Sequence, residues 1–182
     1  MKTTSSSSGI EKGQRLVHPS GQVVTFMDHG TDEKGDFVIV EHKIPKQGAL
    51  NGPHWHPELT ESFTVVEGSM RFRVDGKERV VQAGERITIL PRQVHQFWNI
   101  SEAGLTAIHE IRPPGRHWQM FKVVHKLESE GKMNSKGIPR NPLWLGVAWE
   151  SIDGYLQGPP LVVQRVVLGG LAKLARLLGY KI

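Results

Sequence analysis

Between residues 22 and 111 the chain is cut into short runs of β-branched and aromatic residues by Gly, Pro, Asp and Asn, and this punctuation constrains the fold more than any other feature. Apolar runs of four to eight residues bounded by turn formers are strands rather than helices. The expected strands are 22–27, 37–44, 63–66, 70–74, 79–82, 86–90, 96–100 and 105–111. Asp75 and Gly76 tolerate the positive φ of a type I′ turn and join two of them as a hairpin. Many short strands at this spacing make a small sandwich or barrel.

After Pro113 and Pro114 the pattern changes. Trp118, Phe121, Val124 and Leu127 recur every three residues and predict a helix over 116–130. Pro142 and Pro160 occupy the first turns of two further expected helices, 141–155 and 160–178. A chain of 182 residues holds one full core and is too short for two ordinary enzyme domains. The expected organisation is a polar, disordered tail (1–12), a β-barrel (13–113) and a helical C-terminal extension (114–182).

Cysteine is absent, so thiolate ligands, disulfides and cysteine nucleophiles are excluded. Any transition metal must be held by histidine and carboxylate. Residues 1–9 lack the apolar stretch of a secretory signal, and no apolar run reaches eighteen residues, so a cytoplasmic protein without a transmembrane helix is expected. The net charge of +5 is unevenly placed. Residues 1–111 hold 12 Lys+Arg and 14 Asp+Glu, whereas residues 112–182 hold 11 and 4, so the excess of positive charge lies in the extension.

His54 and His56 are two apart, and on a strand such residues leave the same face while Trp55 leaves the other. Glu61 can return on an adjoining strand, and His95 can supply a third imidazole. Three neutral nitrogens and one carboxylate suit a single divalent transition metal, Fe, Mn, Ni, Zn or Cu, with coordination positions left for water or substrate.

These residues resemble the two signature motifs of the cupin superfamily. The first, G-x5-H-x-H-x3,4-E-x6-G, is matched throughout by Gly48, His54, His56, Glu61 and Gly68. The second, G-x5-P-x-G-x2-H-x3-N, is matched by Gly84, His95 and Asn99. Its proline is displaced by one position to Pro91, and Arg92 stands where glycine is usual, in a turn whose backbone angles arginine disfavours. The resemblance implies a mainly β fold, the cupin double-stranded β-helix or jelly-roll barrel, and a metal bound by His54, His56, Glu61 and His95. It also implies pairing as a homodimer.

Alternation places Phe63 and Val65 beside Glu61, and Phe97 and Asn99 beside His95, with Met70 and Phe72 from the hairpin. These six are the expected substrate pocket, for a small, partly apolar or aromatic molecule. His42 and His109 each lie on a strand, either near the metal or on the outer face. His117 and His125 show no spacing that suggests a site. The intact three-histidine, one-glutamate set is similar to that of quercetinase-like dioxygenases. By that resemblance the function is a metal-dependent dioxygenase-like oxidoreductase in which Glu61 is both ligand and catalytic base. The alternatives are a non-catalytic small-molecule-binding or sensory cupin, and a cupin isomerase or lyase.

The last expected helix carries Val162, Val163, Val166, Val167, Leu168, Leu171, Leu174, Leu177 and Leu178 with Arg165, Lys173 and Arg176. Its apolar face is expected to pack on the barrel or a second subunit; peripheral membrane contact through 160–178 is the less favoured reading. The basic residues are not interleaved with stacking aromatics, so no nucleic-acid partner is expected.

Overall fold

The computed structural model describes residues 10–135 and 137–180; residues 1–9 of the expected tail lie outside them. Among the described residues, twelve antiparallel strands form two sheets. One contains, in spatial order, β1 (Arg15–Val17), β2 (Val23–Asp32), β3 (Gly35–Ile44), β11 (Leu105–Arg112), β6 (Thr60–Glu67) and β9 (Arg86–Ile89). The other runs β12 (Tyr155–Leu156), β5 (His54–Trp55), β10 (His95–Asn99), β7 (Ser69–Val74) and β8 (Lys77–Gln82), with β4 (Gly48–Ala49) also paired to β10. The arrangement is a jelly roll of two sheets, rather than one continuously closed barrel.

Period-two alternation decides what faces inward. Along β3, Val38, Val40, His42 and Ile44 are buried, and along β11, Leu105, Ala107, His109 and Ile111 are buried. Each strand therefore carries one histidine in phase with its aliphatic residues. Asp75 and Gly76 have φ of 49° and 80° and turn β7 into β8, with Val74 opposite Lys77. Ile10, within the stretch expected to be a tail, is buried against the cluster that contains Leu16, Phe26 and Phe121.

Two helices follow the strands: α1 (His117–Ser129) and α2 (Pro142–Ser151), the latter capped by the Asn141 side chain, which accepts from the Leu143 N–H. The expected helix over 141–155 stops early. Asp153, at φ 51°, and Gly154 break it, and Tyr155 and Leu156 pair with Trp55 and His54 as β12. The C-terminal helix begins as α3 (Leu161–Val163), widens into a π-helical turn (Gln164–Leu168) and continues as α4 (Gly169–Leu177). Trp144 packs between helices, with Val123, Leu127, Val147 and Ala175, rather than on the sheets.

The C-terminal helix departs from packing on the barrel, the first of the two expected partners of its apolar face. Its large aliphatic residues do not pack on the barrel; Val162, Val166 and Leu177 are 72%, 68% and 85% exposed. Ala172 and Ala175 are the buried residues of α4. The cause lies in α2, where a Cβ on Gly146 would meet the Ala172 nitrogen at 2.6 Å. Backbones this close admit only small side chains, so the helix turns its alanine side inward.

Candidate metal centre

β5 and β10 lie side by side with His54 opposite His95. His56 follows just past β5, and Glu61 enters from β6 in the facing sheet. All four side chains are buried. One donor atom from each lies within 4.8 Å of the other three. Donors about 2.1 Å from a common ion are at most roughly 4.2 Å apart, so small side-chain displacements suffice to enclose one.

The imidazoles are oriented from behind by backbone carbonyls. His54 Nδ1 donates to Gly52 O at 2.9 Å, His56 Nδ1 to Asp153 O at 3.2 Å, and His95 Nδ1 to Gln93 O at 3.0 Å. A carbonyl oxygen only accepts, so this network assigns the ring proton to each Nδ1 and turns each Nε2 lone pair inward. His56 Nε2, His95 Nε2 and Glu61 Oε2 have no hydrogen-bond partner among the described residues. Yet Oε2 is 2.8 Å from His95 Nε2 and 3.4 Å from His56 Nε2. Lone pairs thus converge on one point without meeting a donor, each at a cost of about 1–3 kcal/mol. A divalent cation satisfies all of them, so the residues fit a transition metal.

Burial first, and then the neighbouring His95, pushes the His54 pKa down to about 3, which keeps this imidazole neutral. For His56 burial acts downward, but the Glu61 carboxylate more than reverses it. Burial likewise pushes Glu61 upward; hydrogen bonds from His109, and from His56 and His95 when their Nε2 atoms carry a proton in place of an ion, outweigh it and hold the carboxyl well below the usual carboxylate range.

Three further histidines surround Glu61. His109 Nε2 lies 3.0 Å from Oε1, and His109 Nδ1 is 3.4 Å from His42 Nε2, so a buried file runs from Glu61 to His42. His117 Nδ1 donates to Ile152 O at 3.0 Å, and its Nε2 stands 3.8 Å from the same Oε1. Burial pushes His42 down to about 3 and His117 to about 4. The in-phase alternation of β3 and β11 was the signal for His42 and His109. For His117 the signal was its position four residues before Phe121, on the same helical face. His125 instead donates to Val17 O at 3.1 Å and docks α1 on β1.

The expected pocket residues are placed differently. Phe63, Val65, Met70 and Phe72 form a dense cluster with Phe97 packed against it. The ring centroids of Phe63 lie 5.3 Å from Phe72 and 4.8 Å from Phe97. Asn99 donates to Ile44 O and Lys46 O and accepts from the Ser101 N–H, tying loops together. A cavity of about 440 Å³ lies at the strand ends among Pro53, Arg73, Asp75, His95, Gln96 and Gln157.

The turn before His95 is made despite Arg92. This arginine adopts φ 69°, and its N–H donates to His56 O at 2.7 Å. Asp75 and Gln93 brace it: Asp75 accepts from the Val94 N–H and the Gln93 amide, and Gln93 Oε1 accepts from the Leu90 N–H.

Two facing antiparallel sheets that bury three histidines and a glutamate around one point define a jelly-roll protein with an internal His/carboxylate cluster that could hold a metal ion. Residues 40–109 match the cupin domain family, as the motif resemblance implied. Among solved structures it is similar to KdgF from Halomonas sp. (18% identity, 50% of this chain and 78% of that one, TM-score 0.43). It is also similar to an RmlC-like cupin from Shewanella frigidimarina (18% identity, 61% and 90%, TM-score 0.44). A structure of oxalate oxidase aligns at 24% identity, over 59% of this chain and 62% of that one, with a TM-score of 0.42. Comparison with curated proteins found no match.

Proposed function

We propose that His54, His56, Glu61 and His95 bind one divalent transition metal, and that the protein is a metal-dependent, dioxygenase-like oxidoreductase acting on a small molecule with an oxygen donor. The observation that carries the reading is the convergence of Nε2 and Oε2 atoms left without hydrogen-bond partners. A bound transition metal supplies Lewis acidity toward a substrate oxygen and, if redox-active, electron transfer. Glu61 is the proton acceptor, kept ionised by the imidazoles around it, with His109 and His42 behind it as a route for the proton.

The division at residues 113 and 114 belongs to the same proposal, with the extension completing the site through Asp153 and His117. A second reading, a binding module in which the metal only orients a small molecule, is supported by the near-complete burial of the ligands. Pairing of two copies through their sheets is carried over from the family resemblance.

Metal analysis of protein purified without added metal, followed by oxygen-uptake screening with small hydroxylated acids and enols, separates the readings. The enzyme reading expects iron or another redox metal near one equivalent and oxygen uptake; tightly held zinc without turnover supports the binding module. His56→Ala is expected to lose stoichiometric metal. Undiminished binding in that variant overturns the site.

A further inference from the structure

The C-terminal helix presents its large aliphatic side chains to solvent. Val162, Val163, Val166 and Val167 are exposed while Gln164 is buried, its amide bonded to Leu156 O and Pro159 O. In α4, Leu174 and Leu177 are exposed while Ala172 and Ala175 are buried against α2. A contiguous apolar face of this kind marks a surface that another phase or molecule covers.

Its charges identify the occupant. Lys173 shares the α4 face with Gly170 and Leu177 by helical spacing and is itself exposed. Arg165 and Arg176 lie along the same helix, reaching to the Tyr155 hydroxyl and to Glu150. Leu178, at the end of the face, also lines a cavity of about 640 Å³ with Lys126, Lys132 and Arg140. Two copies joined through this face would bury Lys173 against like charge, in segments that each carry an excess of cations. An anionic bilayer instead takes the aliphatic residues into its acyl boundary, while lysine and arginine extend to the phosphates.

We propose that residues 161–178 form an interfacial helix that seats the folded protein on an anionic phospholipid surface. No helix among the described residues is long and apolar enough to cross a membrane, and the proposal requires none. Contact is peripheral, parallel to the surface, and driven jointly by apolar burial and charge.

The test is sedimentation of the full-length protein with vesicles of phosphatidylglycerol and phosphatidylcholine (1:1), against vesicles of phosphatidylcholine alone. Binding is expected to be at least tenfold stronger to the anionic vesicles and to fall at least tenfold in 1 M NaCl. The double variant Val162→Asp/Val166→Asp alters only exposed positions, so it should keep its circular dichroism and metal content while losing at least tenfold in vesicle partition. Failure of the folded parent to bind anionic vesicles overturns the proposal, as does equal binding by the double variant. Light scattering showing a dimer that this variant alone dissolves assigns the face to a second copy and also overturns it. None of these results depends on whether the metal centre is catalytic.

Discussion

Gly154→Ala tests whether the extension is part of the metal site. A Cβ at this position would stand 2.5 Å from His56 Nδ1, 2.8 Å from Trp55 O and 2.9 Å from His56 Cε1. These separations are roughly 1 Å short of ordinary contact. Trp55 O belongs to the β5 backbone that pairs with β12, so the imidazole is the group that must yield. Displacing it stretches the bond from His56 Nδ1 to Asp153 O, already 3.2 Å. Loss of an orienting partner behind a ligand histidine typically weakens metal affinity by about ten- to a hundredfold. That corresponds to about 1.4–2.7 kcal/mol. Competition between the protein and a chelator for Zn(II) or Co(II) measures the change, with Gly170→Ala as control because nothing lies within 4 Å of a Cβ there. Affinity and melting temperature equal to the parent's in Gly154→Ala would refute the claim that the 153–156 segment orients His56.

Three other perturbations follow from the same geometry. Arg92→Gly relieves a left-handed residue worth about 1–2 kcal/mol but adds unfolded-state entropy of about 0.5–1 kcal/mol, so chemical denaturation should show a net gain near 0.5–1 kcal/mol. Asn99→Ala removes hydrogen bonds to Ile44, Lys46 and Ser101 and should destabilise by about 2–3 kcal/mol while leaving ligand affinity per folded molecule unchanged; weaker ligand binding would return Asn99 to the pocket. Burial raises the Glu110 pKa, but hydrogen bonds from Arg86 and Arg112 outweigh this and lower it. Its stabilising contribution is therefore full above the unfolded value near 4.5 and is lost as pH falls through the lower folded value. Urea titrations from pH 7 to 3 should show that slope reduced in Glu110→Gln, by at most about 1 kcal/mol because the group is partly solvated.

The strands were legible because alternation and turn residues act locally. Asp75-Gly76 and the β3 and β11 patterns needed nothing distant. The four candidate ligands were legible because their spacing is itself the motif. The strand made by Tyr155 and Leu156 was not, since two residues carry no period and their pairing with β5 is decided by the tertiary fold. Alternation tells which face a residue occupies, not whether that face encloses space; Phe63, Phe72 and Phe97 face inward as expected and pack against one another. In the last helix, large aliphatic residues predicted an inward face. Gly146 on α2 opposed packing on the barrel by bringing the backbones close at Leu171 and Ala172, so Ala172 and Ala175 are the residues buried there.

The carbonyl that holds His56 belongs to Asp153, 58 residues after His95 in the chain. During synthesis, at about 5–20 residues per second, every ligand has been made roughly 3–12 s before the residue that orients one of them exists. An ion captured in that interval meets a looser, less selective site. The final affinity, and with it the discrimination among metals, is set only after β12 has closed onto β5. On the proposed reading, the choice among metals would therefore be completed late, by a segment outside the cupin motifs.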